Sequence, residues 1–102
     1  MARRQRIPGA PRREACHPAA WALPDAAALQ ALSRGDAGPD QQKRALTFIV
    51  ESLAGTYDLS FRGGKPDETA FAEGKRFVGM QIVKLVKVNL AAIRGKPSEQ
   101  QP

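Results

Sequence analysis

Hydrophobic and polar positions alternate along this chain with the helical period in three places. The longest is Asp67 to Arg94, DETAFAEGKRFVGMQIVKLVKVNLAAIR. At about 100° per residue, Phe71, Val78, Ile82, Leu85, Val86 and Ile93 fall on one side, and Val83 and Leu90 widen the stripe. This stripe is the expected core face of one long amphipathic helix. Glu73, Arg76, Lys84, Lys87 and Arg94 lie opposite, a mostly cationic row open to water or a polyanion. Asp67 after Pro66 is the expected N-cap, and Arg94, Gly95 and Pro97 provide a cation, a left-handed cap and a stop. Gly74 and Gly79 interrupt the helix at a cost of about 1 kcal/mol each against alanine, which predicts close approach of a loop or another helix. Lys75 falls in the apolar arc. Its stem is expected to cover the core or its charge to pair with an acid such as Asp58, the alternative being a functional cation facing a cleft.

Two shorter patterns precede it. PDAAALQALSRG predicts an alanine-rich helix from near Pro24 and Asp25 to Gly35, with Leu29 and Leu32 buried and Trp21 folded over the end of the core. After GDAGPD, a second helix begins at Pro39 and Asp40 and stops at Gly55. Its inner face is Ala45, Leu46, Ile49 and Leu53, with Lys43, Arg44, Thr47 and Glu51 outward. Between the second and third helices, Tyr57, Leu59 and Phe61 alternate with Asp58, Ser60 and Arg62 in the manner of a half-buried extended strand. No partner strand is evident, so the segment is expected to lie across the helices. The fold class is therefore all-α: a small three-helix domain over 21–95 with a long C-terminal amphipathic helix. A disordered Arg/Pro-rich arm over 1–20 precedes it, and a frayed polar tail over 96–102 follows.

Composition narrows the function classes. The 102 residues hold 16 Lys and Arg against 10 Asp and Glu, a net charge of +6. That balance favours nucleic acid, anionic lipid or an acidic protein. Five cations, Arg3, Arg4, Arg6, Arg12 and Arg13, sit in the arm, where they could lie along phosphates or simply be solvated. With Arg76, Lys84, Lys87 and Arg94 they form the candidate contact set for nucleic acid or a partner. Pro8 and Pro11 interrupt the amphipathic helix that a transit peptide needs. No apolar run approaches the roughly 18 residues that span a bilayer, so neither secretion nor membrane insertion is expected.

Candidate chemistry is sparse. Cys16 is the single cysteine, which excludes an internal disulfide, and Cys16 and His17 lack the further ligands or base of a metal centre or thiol enzyme. Gly63, Gly64 and Lys65 resemble part of a phosphate loop. The upstream glycine position holds Leu59, however, and Pro66 stands where a hydroxyl residue should follow the lysine. Asp58, Asp67 and Glu73 make no defined acid/base pair in their spacing. No catalytic, metal or cofactor site is expected. A helix-turn-helix is disfavoured by the long connection between the second and third helices and by the apolar third helix.

QQKRALTFIVESLAGTYDLSFR followed by DETAFAEGKRFVGMQIVKLVK resembles a small family of tailed-bacteriophage proteins, named after a small protein of a Bordetella podophage and encoded among head, portal and packaging genes. The resemblance covers roughly residues 40 to 90, and TYDLSFR and FAEGKRFVG are its most specific parts. It aligns Phe71 with the family's aromatic, and Gly74, Lys75 and Arg76 with its Gly-basic stretch. It implies a non-enzymatic accessory or structural protein of particle assembly, in the cytoplasm of the infected host or in the virion. The implied partner is a phage structural protein or a second copy; the alternative is a packaging component on DNA phosphates. It carries over no site residue.

Overall fold

In the computed structural model, residues 14–95 are described. They form α1 (Leu23–Arg34), α2 (Pro39–Thr47), a π-helical segment (Phe48–Leu53) continuing α2, α3 (Pro66–Lys87) and α4 (Leu90–Arg94). No strand occurs among them. The all-helical class and the long C-terminal helix are as expected, but the third predicted helix is two helices. Val88 is extended (φ −66°, ψ 144°), and Asn89 starts α4 by accepting the Ala92 N–H on its side chain at 3.1 Å. A short amide side chain competes with the helical backbone in this way, which ends α3 at Lys87.

The helix ends follow local chemistry. In α1, proline enters the first turn and Gly35 closes the helix in the left-handed region (φ 82°). The Asp25 carboxylate accepts the Ala22 N–H at 2.9 Å and the Arg44 Nε–H at 2.9 Å. It is 4% exposed, so one buried charge both caps α1 and ties it to α2, and both bonds are charge-assisted. Asp67 is not the N-cap of α3. Lys65 occupies that place without a side-chain bond, because Pro66, with its fixed φ and missing N–H, already serves as the first helical residue. Gly95 is right-handed (φ −77°), so the expected left-handed cap does not form.

The interior is built from small side chains. Ala22, Ala28, Ala31, Ala45, Ala54 and Ala72 are buried with Phe48 and Val50, and no large side chain is fully buried among the described residues. α1 packs on α2, and α3 packs on the π-helical segment. Leu32, Leu46 and Leu53 are exposed, contrary to their expected inward placement, whereas Leu29 and Ile49 are half-buried. In α1 the inner face is the alanine line Ala28 and Ala31. In the second helix, i→i−5 bonds such as Ala54 N–H to Ile49 O (2.9 Å) hold more residues per turn. They rotate the inward face onto Ala45, Phe48 and Val50. Trp21 is 62% exposed instead of covering the core.

α3 meets the rest of the chain through Ala72 and Gly79, both buried. Gly79 lies against the chain as it leaves the π-helical segment: a Cβ there would overlap the Thr56 hydroxyl and meet the Ala54 Cβ at 3.0 Å. Thr56 cannot readily turn away, since its buried hydroxyl donates to the Val50 carbonyl at 2.6 Å. This is the close approach predicted at Gly79. At Gly74, by contrast, no atom of the described residues beyond its chain neighbours and its own helix backbone lies within 4 Å of where a Cβ would stand. Helix propensity alone would make Gly79→Ala stabilising by about 1 kcal/mol. Overpacking against Thr56 instead predicts a loss of about 1–3 kcal/mol, measured as a lower urea midpoint with unchanged m-value.

Candidate docking interface

The buried line of α3, Ala72 and Gly79, stands one residue and thus about 100° round from Phe71, Val78 and Leu85. The side expected to be the core face is therefore largely outside. Phe71, Val78, Leu85, Val86 and Leu90 are exposed, Leu85 at 68%, while Ile82, Val83 and Ile93 are half-buried. The physical reason is the tight seat of α3 at Gly79 on Ala54 and Thr56, where even a single Cβ would overlap the Thr56 hydroxyl. Phe77, 61% exposed, and Met80, also exposed, extend the outer apolar surface. Both fall outside the predicted apolar arc, and that misfit was the signal in the sequence for a second apolar side.

The segment before α3 adds to this surface. Tyr57, Leu59 and Phe61 are all exposed, Tyr57 at 69%, so the alternating pattern neither forms a strand nor buries its apolar side. Hydrogen bonds bend it instead. The Arg62 guanidinium donates to the carbonyls of Leu59 at 2.9 Å and Ser60 at 3.0 Å. The Arg62 N–H donates to the Thr69 hydroxyl at 2.7 Å, and the Ser60 hydroxyl donates to Glu73 at 2.6 Å. These bonds fasten the backbone to α3 while leaving the large side chains outward.

The predicted cations divide into three groups. Arg76 forms an ion pair with Glu73 at 3.1 Å, so its charge is already answered in part. Lys84 and Lys87 are exposed in the last turn of α3, and Arg94 is exposed in α4. Arg3, Arg4, Arg6, Arg12 and Arg13 lie outside the described residues, as does the tail from residue 96. The start of the folded part moves, however. Ala15 is 2% exposed, and its carbonyl accepts a hydrogen bond from Lys75 Nζ at 2.9 Å. Lys75 also stands over the Phe71 ring, 5.9 Å from its centroid, a cation–π distance. The segment at Ala15 thus belongs to the folded unit and not to the arm expected over 1–20.

The clefts are shallow. One of about 400 Å³, open to solvent, is lined by Glu14, Leu59, Phe61, Arg62, Gly63, Lys65 and Glu68. Glu73 lines an adjoining one, with neither Asp58 nor Asp67. Among the described residues no group of three His, Cys, Asp or Glu could hold a metal ion, and no helix is long and apolar enough to cross a membrane. The chain matches no family model, no curated protein and no solved structure in the comparisons made with each.

Lys75 is the link whose removal is most diagnostic. In Lys75→Ala the Ala15 carbonyl loses its donor, and the turn in which the His17 N–H bonds to Glu14 O (3.0 Å) loses its anchor. The His17 amide should then exchange with deuterium at least roughly tenfold faster while amides inside α1 keep their protection, as expected for local opening.

Proposed function

We propose that this chain is a non-enzymatic docking subunit of phage particle assembly, acting in the head-tail or packaging module. In this reading the outer face of α3 lies against another protein of the particle. The observation that carries it is the inversion of side-chain size: alanine and glycine face inward while Phe71, Phe77, Val78, Met80 and Leu85 face water. Exposed apolar patches of this extent mark interaction surfaces, because leaving them wet forgoes roughly 25 cal/mol per Å² of burial. The phage setting rests on the resemblance carried by residues 40 to 90.

The test is incorporation. In purified particles of a phage encoding this chain, mass spectrometry should find the polypeptide. Val78→Asp with Leu85→Asp should remove it while the isolated variant keeps its helical circular dichroism. Undiminished incorporation of that variant would count against the α3 face.

A second reading has its own observation, the exposed cations Lys84, Lys87 and Arg94 at the end of the helical unit. These could meet DNA phosphates without reading sequence, helped by the arm arginines. A duplex-DNA titration between roughly 50 and 200 mM salt separates the contributions. Deleting residues 1–18 should make the slope of log K against log salt shallower by about four to five, and neutralising Lys84, Lys87 and Arg94 to Gln by about three. Little binding at low salt would remove this reading.

A further inference from the structure

The joint between α3 and α4 is held by little. Val88 leaves the helical region (φ −66°, ψ 144°), and the Asn89 side chain starts the next helix through one exposed bond from the Ala92 N–H, 3.1 Å long. α4 buries none of its five residues, and the main helix packing runs between α1, α2, the π-helical segment and α3 without it. Only Val88 and Ile93 are half-buried in this stretch. The bend therefore rests chiefly on local backbone chemistry, and a capping bond is worth about fivefold in an equilibrium constant.

The competing form is a helix continuous from Pro66 to Arg94. The apolar and polar periodicity runs through the joint without a change of phase, and straightening replaces the cap by i→i−4 bonds to carbonyls left open at the end of α3. Only the backbone of Val88 and Asn89 has to move, since Lys87 before them and Leu90 after them are already helical. The two forms differ in how they present cations. In the continuous helix Lys87 and Arg94 are one heptad apart, on one line and about 10 Å from each other, whereas the bend breaks that line at Val88. Two like charges brought into line repel, so the straight form gains from whatever neutralises both.

We infer that the Val88–Asn89 joint is a two-state switch, and that a phosphate backbone bridging Lys87 and Arg94 selects the straight form. The inference rests on the phosphate-contact reading above and adds a conformational change to it. A ligand shifts such an equilibrium only by its differential affinity for the two forms. Here that difference is the alignment of two cations, which neither form changes chemically.

The test uses two substitutions in the full chain that leave every charge in place. Asn89→Ala removes the cap and improves helix propensity, which should raise the ratio of straight to bent by about tenfold. Leu90→Pro locks the bend. Proline suits the first residue of α4 after an extended Asn89 (φ −87°, ψ 97°), but in a continuous helix its ring would clash with the Val86 carbonyl. Leu90 is 53% exposed, so the body of the fold should be undisturbed, checked as unchanged amide protection within α1. The Cα chemical shift of Val88 should move toward helical values in Asn89→Ala and stay extended in Leu90→Pro. On adding a short DNA duplex at about 50 mM salt, Val88 of the unsubstituted chain should move as it does in Asn89→Ala. Affinity should fall from Asn89→Ala through the unsubstituted chain to Leu90→Pro, over a span of about tenfold. A Val88 that stays extended in Asn89→Ala, equal affinities for the three chains, or binding with Val88 unmoved would each overturn the switch and leave the phosphate reading standing. No binding at low salt would remove both.

Discussion

The contact between Gly79 and Thr56 sets the position of everything after residue 53. Thr56 is held from behind, because its hydroxyl is engaged with the Val50 carbonyl at the end of the π-helical segment. A helix can lie on that spot only by offering a residue with no side chain. α3 does so at Gly79 and offers the small Ala72 one heptad earlier, and this choice decides which way the helix is turned about its own axis. Once those two positions face inward, Phe71, Val78 and Leu85 cannot. The outward apolar seam is thus a consequence of the seat and not an independent feature of the helix.

The same economy of side-chain size holds on the other side of the molecule. α1 and α2 approach through Ala28, Ala31 and Ala45, and the Asp25–Arg44 pair fixes their relative placement. Short side chains bring helices close but remove little apolar area from water, and area is what stabilises a fold of this size. The larger apolar groups, which would contribute most, stand exposed among the described residues. On the proposed docking reading this distribution separates two tasks: small residues specify the shape of the subunit, and large ones supply adhesion. The tie from Lys75 to Ala15 joins the N-terminal segment to α3 through a polar bond beside the Phe71 ring.

Much of this architecture was legible from periodicity and punctuation. Proline at the starts of α1, α2 and α3 and glycine after α1 and the π-helical segment placed the elements correctly, since those residues act through their own backbone geometry. The interior was not legible, for a definite reason. Hydrophobic periodicity identifies the apolar side of a helix, and it equates that side with the core only when the chain buries its own largest groups. Here the buried line and the apolar line differ by one residue, and alanine and glycine carry almost no hydropathic signal to reveal it. The TYDLSFR alternation misled similarly, because the Arg62 guanidinium occupies carbonyls that a strand would have needed. The break at Val88 and Asn89 was hidden within a continuous apolar repeat, although asparagine followed by a fresh apolar run is a signature of a helix start.

The absence of any fully buried large side chain among the described residues also bears on how such a chain would be kept in supply. A subunit whose adhesive groups are satisfied only in company has a stability that rises with the concentration of its partner. Copies made in excess spend more time unfolded, and unfolded chains are what proteases clear first. Abundance would then track the number of places waiting to be filled. Surplus chains would be turned over without a dedicated regulator, by mass action alone.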